Sequence, residues 1–172
     1  MFRMDVGEIK SRRHVFKRVD SPVGTLTLVA NDDGLRGLLF EKTTLCPEEA
    51  WATLHEEPGH DIILRVEAQL SEYFAGTRRT FDIPLVIKGT PFQKRVWRHL
   101  QNIPYGRTVS YSEIAEGLGD IRKARPVGGA VGLNPIAIMI PCHRVIGKNG
   151  TLTGFGGGLD VKSFLLNLEA EQ

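Results

Sequence analysis

The chain lacks the features of a membrane protein, a secreted scaffold or a disordered segment. Its longest candidate apolar run, Ile136–Ile140, lies between Pro135 and Pro141 and is far shorter than the roughly 20 residues that span a bilayer. The N-terminus has no apolar core of the kind that a secretion signal needs. Cys46 and Cys142 are too few for a disulfide framework. We therefore expect a cytoplasmic protein that does not enter a membrane.

The composition is that of an ordinary globular protein, but the charge differs between the two halves. Hydrophobic residues make up 41% and charged residues 24% of the 172 residues, which allows one large or two small domains. Residues 1–87 carry 11 Lys and Arg against 14 Asp and Glu, a net charge of −3, and residues 88–172 carry 11 against 6, a net charge of +5. The basic half indicates a polyanionic partner, with an ordinary mixed surface as the alternative.

Residues 1–87 are predicted to form an α/β domain with a small antiparallel sheet. Residues 15–19, 25–30 and 35–40 have the alternation and flanking turns of a three-stranded meander. Pro47 is expected to begin a helix that runs to about Glu57. A second helix, which stops at Gly76, is predicted by apolar residues at helical spacing: Ile63, Val66, Leu70, Tyr73 and Phe74. The scattered histidines and the single cysteine give no metal-ligand spacing, so this half is interpreted as a scaffold without a metal site.

Residues 88–172 are predicted to form a mostly helical domain. Thr90–Gln93 and Ser110–Glu113 are capping boxes, each of which begins a helix. A turn after Gly119 leads to a further helix from about Ala124 to Leu133, with Pro126 in its first turn because a proline deeper in a helix costs about 3 kcal/mol. Two short helices joined by a turn, the second basic at its start, favour a helix-turn-helix, with a plain helical hairpin as the alternative.

The second of these helices is rich in residues that form helices poorly. They are Gly128, Gly129, Ala130 and Gly132. Small side chains are tolerated where a helix must lie very close to another surface. That surface is either a neighbouring helix or, on the outward face, a nucleic-acid backbone.

Cys142 is the candidate nucleophile. It follows a predicted buried strand, Ile136–Ile140, and stands beside His143 and Arg144, whose charges would lower its thiol pKa. In an extended segment the side chains of Cys142 and His143 point to opposite faces, so that the imidazole would reach the thiol only through a water or a third group. On the residues alone, a buried, inert cysteine is the more common case at such a position, and the nucleophile is the alternative.

The C-terminal helix offers an orienting partner for the histidine. Its core-facing residues are expected to be Val161, Phe164, Leu165 and Leu168. Glu169 lies at the edge of that face and is the expected partner of His143, the one buried cation that the sequence indicates nearby. Between cysteine and helix, Gly154–Gly158 is predicted to be a flexible loop whose N–H groups can approach a ligand closely.

Together these motifs resemble the O6-alkylguanine-DNA alkyltransferases. The signature around the cysteine is Pro141–Ile146, preceded by Asn134-Pro135 and followed by Gly154–Gly158. Further matches are Gly89–Gln93, Ile103–Gly106 and Ser110-Tyr111, so that the similarity extends from about Gly89 to Glu169. The predicted N-terminal half is compatible with the small α/β domain of that family.

The resemblance implies DNA repair by direct reversal of damage. Members flip an alkylated base out of duplex DNA and transfer the alkyl group from O6 of guanine, or in varying degree O4 of thymine, to their own cysteine. The transfer is irreversible and consumes the protein in one turnover. The resemblance implies no cofactor, no structural zinc, and a monomer that binds double-stranded DNA with alkylated bases.

It also implies a role for each matching residue. Cys142 is the acceptor, and His143, held by Glu169, deprotonates it through a water. Tyr111 donates to the departing base and Asn134 fixes the turn beneath the cysteine. The residues that face DNA are Lys123, Arg125, Pro126, Gly128 and Ala130, with Arg125 filling the gap left in the duplex. The base pocket consists of Val145, Phe155 and Gly156.

Three other functions remain open on the sequence. An alkyltransferase-like damage sensor would lack the acceptor cysteine, a helix-turn-helix transcription factor would bind undamaged DNA, and a thiol hydrolase would turn over many times. Phe155 stands where some relatives have tyrosine, and Pro126 where alanine is usual. These departures affect the expected substrate range and leave the expected reaction unchanged.

Overall fold

Three antiparallel strands form the predicted meander in the computed structural model, which describes residues 13–43 and 54–171. They are β1 (Val15–Val19), β2 (Leu26–Asn31) and β3 (Gly34–Phe40). A short fourth strand, β4 (His55–Glu56), pairs in parallel with β1 and makes the sheet mixed, in the order β3-β2-β1-β4.

The helix predicted from Pro47 to about Glu57 is wrong at its end. His55 and Glu56 are extended because they pair with Val15 and Phe16 at the edge of the sheet, and backbone pairing there outweighs local helix propensity. Residues 47–53 of that prediction, like Cys46, lie outside the described residues.

One face of the sheet is covered by α1 (Asp61–Phe74). The predicted apolar stripe of this helix is confirmed, since Ile63, Val66, Leu70 and Tyr73 are all buried and Phe74 is half-buried against the same core. The helix is followed by Gly76, at φ +75°, a left-handed conformation that glycine adopts without strain. The stripe therefore joins a single apolar core that continues into the C-terminal half.

Four helices build the C-terminal half: α2 (Pro91–Gln101), α3 (Tyr111–Gly117), α4 (Ala124–Gly132) and α5 (Leu159–Ala170). Both predicted capping boxes are confirmed, at Thr90 and at Ser110. The contacting helices α3 and α4 are joined by residues 118–123, and Pro126 lies in the first turn of α4 as expected. No helix in the described part of the chain is long and apolar enough to cross a membrane.

Residues 136–140 are buried, but the predicted strand is wrong. Ile136 forms one isolated bridge with Leu38, and the chain then turns, with Ile138 at φ +69°, a conformation that β-branched residues rarely adopt. Asn134 stabilises the turn, because its Oδ1 accepts from the Ile136 N–H at 3.0 Å and its Nδ2 donates to the Ile140 carbonyl at 2.7 Å. An apolar run predicts burial without distinguishing a strand from a turn.

The segment that carries the cysteine is also not extended. Cys142–Arg144 is one turn of 3₁₀-helix, followed by β6 (Val145–Ile146). Strand β6 pairs in parallel with β5 (Val109–Ser110), at the start of α3. The expectation that consecutive side chains point to opposite faces of an extended segment is therefore wrong for Cys142 and His143.

On α5, one predicted core position is wrong. Phe164 is 39% exposed, whereas Lys162, which the apolar pattern omits, is 1% exposed. Lys162 can be buried because its Nζ donates to the backbone carbonyls of Val145 and Thr153, which replace the water that the ammonium loses. The inward face of the helix is thus shifted toward Lys162 and Glu169.

Candidate active site

The side chain of Glu169, at the end of α5, is a buried carboxylate that accepts hydrogen bonds from three segments. Its Oε1 accepts from His143 Nε2 at 2.7 Å, from Tyr73 Oη at 2.8 Å and from Arg144 Nη2 at 2.9 Å. Its Oε2 accepts from Arg144 Nε at 2.8 Å and from the Gly106 N–H at 3.3 Å. The predicted contact between His143 and Glu169 is therefore present.

The contacts of Glu169 determine its charge. Burial by itself would raise the pKa of this carboxyl, but the hydrogen bonds from His143 and Arg144 and the positive charge of Arg144 outweigh burial and hold the pKa well below its usual range. A buried carboxylate of this kind is stable only when its partners are complete. Arg144 makes the pair bidentate, and its Nη1 donates to the Ile103 carbonyl at 2.6 Å.

The charge on Glu169 fixes the tautomer of His143. An ionised carboxylate has no proton to donate, so the hydrogen on the short bond belongs to Nε2 and the lone pair of the ring belongs to Nδ1. Burial, with the charges of Arg144 and Lys162, lowers the pKa of His143 although Glu169 opposes that shift. His143 Nδ1 is buried and makes no hydrogen bond within the described residues. The ring is thus neutral, with Nδ1 available as a base.

Cys142 is a buried thiol in this structure. Burial raises its pKa, an effect that the hydrogen bond from Asn134 and the charge of Lys162 only partly offset. The expectation that cationic neighbours lower the pKa of this thiol is wrong, because His143 is neutral and Arg144 directs its charge toward Glu169. At rest the site therefore contains a protonated sulfur and a neutral imidazole.

A glycine-rich loop covers the thiol. Gly154, Phe155 and Gly156 line a cavity of about 30 Å³ against Cys142 and Asn134, which is room for about one water molecule. Phe155 packs on Phe40 with ring centroids 5.3 Å apart. Access of anything larger than water to the sulfur requires this loop to move.

Two of the predicted site residues, Tyr111 and Val145, are not part of the cavity wall. Tyr111, the first residue of α3, accepts a hydrogen bond on its hydroxyl from Thr153 Oγ1 at 2.9 Å. Val145 is fully buried, its N–H donates to the Cys142 carbonyl, and its own carbonyl accepts from Lys162. Neither residue lines the cavity at the thiol.

The outward face of α4 is basic at its start and small along its length. Lys123, Arg125 and Pro126 are exposed, and Gly128 lies beside the ring of Tyr111. A Cβ added at Gly129 or Gly132 would meet nothing within 4 Å, so these two glycines belong to the open face.

Ala130 corrects the prediction for this helix. It is 4% exposed, and its carbonyl accepts from Trp97 Nε1 at 2.8 Å. It therefore faces α2 and cannot face a ligand. Of the four small residues in α4, the sequence assigned Ala130 to the outer face, where Gly129 and Gly132 lie instead.

Sequence reasoning missed Lys162 and Tyr73 as groups of the site, and it missed the contact of Arg144 with Glu169. Arg144 and Lys162 are buried cations, although only His143 was expected, and Tyr73 contributes its hydroxyl from the N-terminal half. The signal for Arg144 was its position close to the cysteine in sequence. The signal for Lys162 was its position on the inward side of α5. No group of His, Cys, Asp or Glu in residues 13–43 and 54–171 is placed to hold a metal ion.

Comparisons with known proteins agree with this architecture over nearly the whole chain. The ribonuclease-like domain of 6-O-methylguanine DNA methyltransferase matches residues 15–87, and the DNA-binding domain of the same family matches residues 91–171. A methylated-DNA–protein-cysteine methyltransferase of Mycolicibacterium paratuberculosis is 51% identical over 154 residues, 90% of this chain and 91% of the relative. The constitutive enzyme of Bacillus subtilis is 41% identical over 157 residues, 90% of this chain and 94% of the relative.

A solved structure is similar to the same extent. The crystal structure of Mycobacterium tuberculosis OGT in complex with DNA superposes with a TM-score of 0.84 at 44% identity, covering 91% of this chain and 93% of that chain. Fold and site define a protein with a DNA-binding domain and a buried cysteine that is followed in sequence by a histidine paired with a buried carboxylate. The chain belongs to the 6-O-methylguanine DNA methyltransferase family.

Replacing the buried carboxylate is expected to change how stability depends on pH. In Glu169→Gln the Arg144 guanidinium keeps its burial but loses its counter-charge, so the free energy of unfolding near neutral pH should fall by about 3 kcal/mol. The folded pKa of Glu169 lies below its unfolded value, so its stabilisation is complete above about pH 4.5 and is lost as the pH falls further. The variant should therefore lose less stability on acidification than the wild type.

Urea unfolding at about pH 7 and about pH 3.5 measures both effects. The matched control is Glu171→Gln, which removes an exposed carboxylate two residues further on and should behave as the wild type at both pH values. An equal loss of stability on acidification in Glu169→Gln and in the wild type would contradict this account of the carboxylate.

Proposed function

We propose that this protein repairs alkylated DNA by direct reversal, transferring the alkyl group of O6-alkylguanine in a duplex irreversibly to its own Cys142. The observation that carries the proposal is the buried Cys142 beside a His143–Glu169 pair, in a chain of the 6-O-methylguanine DNA methyltransferase family. Duplex DNA with alkylated bases is the partner, and the protein acts as a monomer in the cytoplasm. Residues 1–87 form the supporting domain and residues 88–172 the DNA-binding and acceptor domain.

The reaction begins with loss of the thiol proton. His143 Nδ1 takes the proton of Cys142 through one bridging water, and the imidazolium that forms is stabilised by the Glu169 carboxylate on its other nitrogen. Because burial raises the thiol pKa, the thiolate is confined to the reacting complex. Asn134 stabilises the turn beneath the sulfur.

The alkyl group then moves from oxygen to sulfur. The sulfur–carbon bond forms as the carbon–O6 bond breaks, and Tyr111 supplies a proton to the departing guanine, which is left unalkylated. The His143 imidazolium then releases its proton to solvent and the Tyr111 phenolate takes one up, so that both side chains return to their starting state and the net proton gained by the base equals the one lost by the thiol. The product is a thioether that no group in the site can hydrolyse, so each molecule of protein reacts once.

The base must leave the duplex to reach the sulfur. Extrusion costs a few kcal/mol and less for a weakened O6-alkylguanine pair, which favours the damaged base. The cavity of about 30 Å³ at Cys142 is too small for a purine, so the loop Gly154–Gly158 opens as the base enters. Phe155, Gly156 and the backbone of Val145 then bound the base.

The outward face of α4 provides the DNA contact. Arg125 fills the gap left by the flipped base, and Lys123 neutralises phosphate charge. Pro126 and Gly128 allow the helix to approach the DNA backbone closely. The open positions at Gly129 and Gly132 suit insertion of the helix into the minor groove of DNA.

The first test is the mass of the protein after exposure to a duplex that contains O6-methylguanine. The wild type should gain one methyl in place of one hydrogen, at no more than one equivalent per protein, and Cys46→Ser should do the same. Cys142→Ala should gain nothing yet still bind the alkylated duplex. Transfer to the Cys142→Ala variant, or release of many equivalents of product by the wild type, would contradict the proposal.

A second test separates base extrusion from chemistry. Arg125→Ala should slow reaction with alkylated duplex by roughly tenfold or more, because filling the gap offsets part of an extrusion cost of a few kcal/mol, and should leave reaction with free O6-methylguanine base almost unchanged. Arg18→Ala, which removes an exposed guanidinium from β1, is the control and should alter neither rate. Equal slowing of both reactions in Arg125→Ala would show that Arg125 does not act in extrusion.

A further inference from the structure

Tyr73 connects the N-terminal half directly to the active-site carboxylate. It lies on α1, is fully buried, and donates from its hydroxyl to Glu169 Oε1 at 2.8 Å. The same oxygen accepts from His143 Nε2 at 2.7 Å. The phenol and the imidazole therefore share one acceptor atom, and what one donates to that oxygen affects its bond to the other.

The Tyr73 hydroxyl is a permanent donor. Burial and the adjacent Glu169 carboxylate raise the pKa of Tyr73 far above its usual value, so the phenol keeps its proton around neutral pH. Its ring is held by aromatic neighbours, with centroids 5.5 Å from Phe81 and 6.2 Å from Tyr105. The hydroxyl is thus fixed in both protonation and place.

A donor to a carboxylate reduces the negative charge that the oxygen offers to its other partners. Less charge on Glu169 Oε1 means a weaker preference for imidazolium over imidazole at His143. The other titratable and charged groups around this pair are Arg144, Lys162, Cys142 and Tyr105. Of these, Arg144 also donates to Oε1, but it is already required to neutralise the buried carboxylate, whereas Tyr73 adds a neutral dipole.

We propose that Tyr73 is a positioning residue, whose hydroxyl limits the pull of Glu169 on the imidazole and so keeps His143 neutral, with Nδ1 free to accept the thiol proton. This inference rests on the proposed alkyl transfer to Cys142. It gives α1 a part in the chemistry as well as in the core, because a group from the N-terminal half sets the basicity of the histidine.

The test is the pH profile of alkyl transfer from free O6-methylguanine base, a substrate that needs no base flipping. In Tyr73→Phe the carboxylate loses one donor, the pKa of His143 rises, and the acidic limb of the profile should move to higher pH by roughly half a unit to one unit. Tyr105→Phe is the matched control. Its ring packs on Tyr73, but its hydroxyl has no hydrogen-bond partner in the described structure, so its profile should match the wild type.

A second substitution perturbs the same bond in the opposite direction. Replacing the side chain of Tyr73 by 3-fluorotyrosine keeps the ring and hydroxyl and makes the hydroxyl a stronger donor, so the acidic limb should move to lower pH. The 3-fluorotyrosine variant keeps the ring in the core, so it remains a usable test even if Tyr73→Phe fails to fold.

The outcomes separate the inference from the proposed function. The inference is supported if the acidic limb of the pH profile moves to higher pH in Tyr73→Phe and to lower pH in the 3-fluorotyrosine variant. If Tyr73→Phe is unfolded, the shift to lower pH with 3-fluorotyrosine supports it by itself. Unchanged limbs in every folded variant, with lower melting temperatures alone, overturn it and leave alkyl transfer to Cys142 intact. Absence of transfer in the wild type would instead refute the proposed function.

Discussion

The site depends on one buried negative charge. Glu169 is removed from water where both halves of the chain meet, and such a charge is tolerated only if its desolvation is offset by paired, well-directed donors. Arg144 supplies the counter-charge, and His143 and Tyr73 supply further hydrogen bonds. Because these donors and the Gly106 N–H come from three segments distant in sequence, the carboxylate orients the histidine only when the whole molecule is folded.

The charge on Glu169 also determines the protonation state of the Cys142 thiol before substrate binds. The carboxylate holds the proton of His143 on Nε2 and leaves Nδ1 as the base. The cation nearest in sequence to the imidazole, Arg144, is engaged with Glu169 and the Ile103 carbonyl and does not stabilise a thiolate. A thiol kept protonated is protected from oxidation and from unintended electrophiles. For a protein that is consumed by one reaction, reactivity limited to the bound substrate has an obvious advantage.

Local signals in the sequence predicted much of the fold. The meander, the two capping boxes and the apolar stripe of α1 each depend on residues near one another in the chain. Ile136–Ile140 was misassigned because the segment turns, with the Ile140 N–H donating to the Ile136 carbonyl and the side chain of Asn134 bonding to both ends of the turn. Alternation of apolar residues does not reveal such bonds. Lys162 is buried and Phe164 exposed, the reverse of the prediction, because the fold brings two carbonyl acceptors to the Lys162 ammonium.

The residues of the site could be predicted where they belong to a short sequence motif or lie at a regular helical spacing. Cys142, His143 and Glu169 follow from a short signature and one carboxylate at helical spacing, and the structure brings the last two into contact. Tyr73 was assigned to the core because it stands in an apolar stripe, and nothing near it in sequence indicates that its hydroxyl meets Glu169. Ala130 was assigned to the wrong face because composition shows that the side chains of a helix are small but does not show which face of the helix is buried.

The tautomer of His143 is the most direct measure of this account. Nitrogen NMR of histidine-labelled protein distinguishes protonated from unprotonated ring nitrogens, and His143→Gln identifies the resonances. At neutral pH the account predicts a proton on Nε2 and none on Nδ1. A proton on Nδ1, alone or together with Nε2, would mean that Glu169 does not leave Nδ1 free to act as a base and would contradict the account.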